Sequence, residues 1–424
     1  MAWMWASTGP PGRELTHLRR SGSGAVRRKP RYPRVARQLA ATAEPRSRPA
    51  SMQFCPLSTV KQRITLGAPL PFNVRDADRT LLLARGQFIA SQEQLEALLA
   101  RGALVDLDEL RRPGAEASDT PVAELPSLWN QSLDRMGTVL RASVQIDFTS
   151  ALDAAARPVL ALIDRDPDLA IFQIVRQDSA GRAPYGVTHS LHTAIAGELA
   201  ARRLGWDEPR RRTLFKAALT MNLAMLELQS RLSTQVTPVT PAQRDAIREH
   251  AQGSVAILQA AGITDREWLD AVAHHHEVPT GAGYPQQLAE VGELASMLRR
   301  ADVFTAKLSP RVTRAALAAN QAARQMFLQD QGHPMSAALV KEFGVYPPGC
   351  CVKLASGEVG LVVKRGDTAT TPIVAALTNR KGEPMIDPVR RNSALAEHTI
   401  VEVVDEKSLR VRVSPEKLVV LANG

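Results

Sequence analysis

His274-His275-His276-Glu277-Val278-Pro279-Thr280-Gly281-Ala282-Gly283-Tyr284-Pro285 sets three consecutive imidazoles beside a carboxylate and a glycine-proline turn. On both sides of it the pattern is helical. Upstream, PAQRDAIREHAQGSVAILQAAG (241–262) has Thr240 as a cap and Pro241 in the first turn. TLFKAALTMNLAMLELQSRL (213–232) reads as one long apolar helix. LHTAIAGELAARRLG (191–205) puts Leu191, Ile195, Leu199 and Leu204 near one stripe, with Gly205 at its end. Downstream, ADVFTAKL (301–308) and RAALAANQAARQMFLQD (314–330) make two more helices. The expected fold class is therefore mainly α, a helical bundle over about 127–343.

The period changes at both ends. PLPFNVRDADRTLLLARGQFI (69–89) has short apolar runs split by Asp and Gly, which suits strands and a turn. Ser91 then caps a helix, with Gln94 completing a capping box and Gly102 as the stop. Residues 52–112 read as a small α+β unit and 113–126 as a linker. After 343, CVKLASGEVGLVVKR (351–365), TPIVAAL (371–377) and HTIVEVVD (398–405) read as strands, so 344–424 is expected to be a small β unit.

Charge narrows the function classes. The chain carries +10, but residues 1–51 hold eleven Lys or Arg against two acids, or +9, which leaves +1 for the rest. The basic character belongs to one Arg-, Ser-, Pro- and Gly-rich segment, read as a disordered tail or as a start upstream of Met52. It has no aromatic or helical pattern to dock, so nucleic acid is not the expected partner. Cys55, Cys350 and Cys351 make no disulfide framework, which fits the cytoplasm. No stretch approaches the ~18 to 20 apolar residues of a membrane span, and MAWMWASTGP does not read as a signal peptide.

Six of the nine histidines fall between 189 and 276: His189, His192, His250, His274, His275 and His276. Imidazole ligates borderline metals well, and ligands from several helices of a bundle can meet at a buried site. Satisfied core histidines are the plainer alternative, since neither HExxH nor CxxC spacing is present.

The run from His275 to Pro285 resembles the HHE-R-x-D-G-S-G-Y-P signature of the HD-GYP family, whose members are helical, metal-dependent phosphodiesterases that mostly open cyclic di-GMP. The resemblance spans roughly 180–365. It assigns metal ligands to His189, His250, His275, His276 and Asp302, a substrate-facing role to Arg311, and the GYP motif to Gly283, Tyr284 and Pro285. It also implies a divalent cation (Fe, Mn or Mg), cyclic di-GMP as ligand, and the GYP surface as a meeting point for other signalling proteins. The unit at 69–105 looks like a small domain often fused to such proteins, and 344–363 resembles their short attached β unit.

The family's H-D-x-G-K block falls on Met221-Asn222-Leu223-Ala224-Met225. A neutral amide cannot offset the repulsion of two cations as a bridging carboxylate does. A thioether suits Cu(I) better than Fe, Mn or Mg. Loss of the Lys removes a charge that would face phosphate. Val278 and Thr280 replace the signature Arg and Asp. The expectation is a divergent, non-catalytic HD-GYP protein of bacterial cyclic di-GMP signalling that binds a nucleotide or a partner. The alternative is a metal-dependent phosphodiesterase of weakened or altered activity.

Overall fold

The structure, a computed structural model, describes residues 54–68, 70, 72–84, 87–106, 120–143, 147–176, 183–405 and 413–424. The tail expected at 1–51 lies outside them, as does the first half of the linker, 113–119.

The first unit is an antiparallel sheet of β1 (Phe54–Pro56), β2 (Val74–Arg75), β3 (Leu81–Leu83) and β4 (Leu104–Asp106), in the order β1-β4-β2-β3, with α1 (Gln92–Ala100). The Ser91 hydroxyl accepts from the Gln94 amide at 3.2 Å, as the capping pattern expects. The Gln94 side chain reaches one residue further back than a capping box requires and accepts from Ala90 N at 2.7 Å. Leu57, Leu70, Phe72, Val74, Ile89 and Val105 form a core of their own.

The bundle runs through α2 (Leu125–Arg141), α3 (Phe148–Arg165), α4 (Pro167–Val175), α5 (Tyr185–Arg203), α6 (Glu208–Thr220), α7 (Leu226–Thr234), α8 (Pro241–Ala260), α9 (Arg266–His274), α10 (Glu293–Leu308), α11 (Ala319–Gln329) and α12 (Pro334–Phe343). At the start of α8 both bonds of a capping box form between Thr240 and Gln243.

Two helix readings need correction. The single apolar stripe on 191–205 is instead burial all round: from Gly186 to Ala201 every residue except Thr188 is buried. α5 is the central helix, in contact with α2, α4, α6, α7, α10 and α12. Ala194, Ala196, Gly197, Ala200 and Ala201 keep its girth small enough for that crowd. The stretch 213–232 is not one helix either. α6 ends at Thr220, a 3-10 turn covers Leu223–Met225, and α7 begins at Leu226. The 314–330 helix starts only at Ala319; Arg311 and Arg314 close a tight backbone bridge before it.

The C-terminal sheet is antiparallel, in the order β8-β7-β6-β5-β9, with β5 (Cys351–Leu354), β6 (Val359–Lys364), β7 (Ile373–Thr378), β8 (Pro384–Asn392) and β9 (Ile400–Val403). It has more than the expected strands, for β8 and a closing helix α13 (Pro415–Asn423) were not foreseen. Side chains alternate between its faces. Val352, Leu354, Val362 and Val374 enter the same core as the helices, while Cys351, Leu361, Val363, Ala375 and Leu377 meet Leu418 and Ala422 of α13. Arg365, just past β6, donates to Asp168 of α4 and to Glu342 of α12, both at 2.5 Å. Among the described residues no helix is long and apolar enough to cross a membrane.

Candidate metal centre

α8 and α9 lie against one another. His250, near the middle of α8, faces His275 and His276 at the end of α9. The Nε2 atoms of His250 and His275 are 3.2 Å apart, and those of His250 and His276 are 3.3 Å apart. All three residues are buried, and one nitrogen from each lies within 4.8 Å of the others. Burial holds all three below the usual imidazole range. For His250 the value falls to about 3, with His275 as the next cause.

The tautomers follow from the main chain. His250 Nδ1 lies 2.6 Å from Ile247 O, and His275 Nδ1 lies 2.7 Å from Val272 O. A carbonyl only accepts, so each Nδ1 carries the hydrogen and each neutral ring presents a bare lone pair at Nε2. Two lone pairs at 3.2 Å repel, and His276 can supply a proton to only one of them. A cation between the rings resolves the conflict. Two nitrogens each about 2.1 Å from a shared ion sit about 3.0 to 3.4 Å apart over the octahedral-to-tetrahedral range. The donor set therefore fits a divalent metal, with His250, His275 and His276 to hold it.

A second pair stands beside this trio. His189 Nε2 of α5 meets Asp302 Oδ1 of α10 at 2.7 Å, with both side chains essentially sealed from solvent. One turn on, the hydroxyls of Thr193 and Thr305 bond at 3.0 Å and keep the two helices in register. Burial raises the Asp302 pKa, but the bond to His189 and the nearby His275 and His250 rings outweigh it and leave the value low. The Asp302 charge reaches His250 and His275, so all five residues share one electrostatic site.

The loop after His276 folds back over it. Tyr284 stacks on the His276 ring with centroids 4.6 Å apart. Glu277 accepts from Gln286 N at 2.6 Å and from Leu288 N at 3.1 Å, which closes the loop. A Cβ on Gly283 would lie 2.5 Å from Glu277 Cα and from Val278 N, so only glycine fits there. Pro285 follows a cis peptide bond and is exposed.

Residues 176–333 match the family model described as an HD domain. A cyclic di-GMP phosphodiesterase of Pseudomonas aeruginosa is 26% identical over 308 residues, 70% of this chain and 71% of that protein. Residues 176–333 therefore carry an HD domain, and the chain is similar to a cyclic di-GMP phosphodiesterase over most of its length. A 3′3′-cGAMP-specific phosphodiesterase of Vibrio cholerae is 28% identical over 144 residues, 33% of this chain and 31% of that protein. A solved HDG"Y"P protein of Bdellovibrio bacteriovorus covers 68% of this chain and 98% of its own, at 14% identity and a TM-score of 0.45.

Over the segment 221–225, which the sequence resemblance sets against the H-D-x-G-K block, the backbone turns. Met221 takes the last α6 bond, to Ala217 O, and Met225 N returns to Asn222 O at 3.0 Å. Ala224 N donates to Ser254 Oγ at 3.1 Å, and a Cβ on Gly253 would come within 2.9 Å of Ala224 Cβ. The turn is thus fastened to α8 one helical turn beyond His250. Met221 and Asn222 are buried, and Met221 joins the main apolar cluster.

Arg311, the substrate-facing candidate, sets its guanidinium 5.9 Å from the centre of the Tyr185 ring. Tyr185 in turn stacks on His189 at 5.5 Å. Two neighbours were given no role in the site from the sequence. Arg314 answers Arg311 across the backbone bridge, and its pKa is lowered by burial and then by Arg311. His192, one turn from His189, is buried and pushed to about 3 by burial and then by His189. The three-residue spacings were visible in the sequence, but only the fold gives them meaning.

Proposed function

We propose that the chain is a divergent HD-GYP protein that binds a cyclic dinucleotide, cyclic di-GMP first among them, without hydrolysing it at an enzymatic rate. The observation that carries the reading is Asn222. A neutral amide stands, at a turn tied to the His250 helix, where the family has its bridging carboxylate. Phosphodiester hydrolysis at such centres uses paired cations to activate a water and steady the leaving oxygen. Without a bridging negative charge the second cation is held poorly. Met221 and Met225 supply packing where a ligand and a phosphate-facing Lys are expected.

Binding keeps more support than chemistry does. Arg311 brings a cation to the Tyr185 ring, one ring away from His189, and Arg314, which donates to Ala306 O and Ser309 O, braces the backbone bridge beside it. That arrangement suits a phosphate oxygen. His250, His275 and His276 would hold a divalent ion, which when bound would polarise phosphate oxygens. The exposed Pro285 and its loop would be free to meet another signalling protein in the cytoplasm.

Calorimetry with cyclic di-GMP and 3′3′-cGAMP, alongside chromatography of the incubated nucleotides, tests this. Saturable binding with no linear dinucleotide formed supports it. Turnover lost in His276→Ala would establish the second reading, a weakened phosphodiesterase, which the convergent Nε2 atoms favour.

A further inference from the structure

We infer that the five surviving ligand-type residues do not act as one cluster, but as a single-ion centre of His250, His275 and His276 beside a closed His189–Asp302 pair that ligates nothing. The inference rests on the proposed reading only in placing the ion at the HD-GYP site. It concerns which of this chain's residues the ion touches.

The two groups differ in what they lack. The His189–Asp302 contact, at 2.7 Å, joins an imidazole nitrogen that can carry a proton to a carboxylate oxygen that accepts one. It is a complete charge-assisted bond and needs no cation. The trio is incomplete by its own geometry. His250 and His275 have spent their ring hydrogens on Ile247 O and Val272 O, and their bare Nε2 atoms still face each other at 3.2 Å. Only the trio gains by taking up a positive ion.

Charge sets the number of ions and their type. Three neutral imidazoles bring no charge of their own, the Asp302 carboxylate beside them offsets only part of one divalent cation, and Asn222 offers no negative bridge to a second. All-nitrogen ligation favours borderline cations such as Co(II) and Zn(II) over hard Mg(II), which keeps its water and prefers oxygen. A trio of imidazoles with open positions also leaves that ion free to take an anionic oxygen.

The test is titration of metal-stripped full-length protein with Co(II), Zn(II) and Mg(II), followed by calorimetry and by Co(II) visible absorption. One ion per chain is expected, with Co(II) bound at least about 100-fold more tightly than Mg(II). His276→Ala and His250→Gln should each lose the Co(II) spectrum. Asp302→Asn should keep the same spectrum and the one-ion stoichiometry, with the Co(II) affinity lowered on the order of tenfold by the loss of a nearby charge. Circular dichroism confirms that each variant is folded, and the isosteric Asp302→Asn and the polar, similarly sized His250→Gln guard against collapse. Two ions per chain, Mg(II) bound as tightly as Co(II), or loss of Co(II) in folded Asp302→Asn would each overturn the inference. Nucleotide hydrolysis by a one-ion protein would defeat the proposed function and leave this assignment standing.

Discussion

The indole Nε1–H of Trp268 donates to Thr220 Oγ1 across 2.9 Å, joining α9, which leads into His275, to the last residue of α6 before Met221. Trp268 is fully buried, with Lys216 Nζ 4.9 Å above its ring. This bond holds the substituted turn and the histidine pair in one frame. Trp268→Phe keeps most of the ring's volume and removes the donor. It should cost about 1 to 3 kcal/mol, the scale for an unsatisfied buried partner plus a small void. Urea denaturation measures it, and an unchanged midpoint would mean that the bond contributes nothing.

Stability should fall with acid well before carboxylates titrate. His192, His250, His275 and His276 are neutral in the folded state, with pKa values below the unfolded 6.5. The unfolded chain therefore binds more protons as pH drops. The stability is fully present above about pH 6.5 and declines toward the folded values, near 3 for His192 and His250. Each such histidine adds about 1.4 kcal/mol per pH unit to that loss. Denaturant curves of metal-free protein at about pH 7.5, 6 and 5 give the slope, which should be shallower in His192→Gln. A stability that rises over this window contradicts the assignment.

Gly283→Ala tests the folded-back loop. The new methyl would strike backbone atoms of Glu277 and Val278, which cannot move aside as a side chain could. The variant should lose about 1 to 3 kcal/mol and release Tyr284 from His276. Tyrosine fluorescence and thermal melts read the two effects. A variant of parental stability with its Tyr284 environment intact would show that the loop has slack.

Rebuilding the signature offers a gain rather than a loss. Met221→His with Asn222→Asp buries a polar pair in an apolar cluster, at about 2 to 5 kcal/mol without metal. Mn(II) or Fe(II) should then restore stability in the double variant by binding the folded state. A thermal melt with and without metal checks this, and a folded variant indifferent to metal would show that the turn does not face the centre.

Local chemistry was legible in the sequence. Thr240, Pro241 and Gln243 announce the start of α8, because a cap is made by residues three apart. Long-range events were not. The break at Asn222 depends on Ser254, thirty residues on from Ala224, accepting from Ala224 N. α5 hides its central position because His189, Ser190, Thr193 and Glu198 sit among its alanines and look like a solvated face. β8 is mostly exposed and contains Pro384 and Pro388, so it shows no alternating apolar pattern. For the centre, the residue types could be read directly, but the ligand set came from resemblance. The opposition of two lone pairs is invisible without coordinates, since it depends on Ile247 O and Val272 O.

Arg365 holds one carboxylate of α4 and another of α12, and the inner face of its sheet fills the bundle's own core. Truncation after Phe343 would strip Val352, Leu354, Val362 and Val374 from that core and leave Asp168 and Glu342 without their shared guanidinium. The smallest fragment that folds is therefore larger than the fragment that carries the chemistry, and an excised 176–333 piece should aggregate on expression.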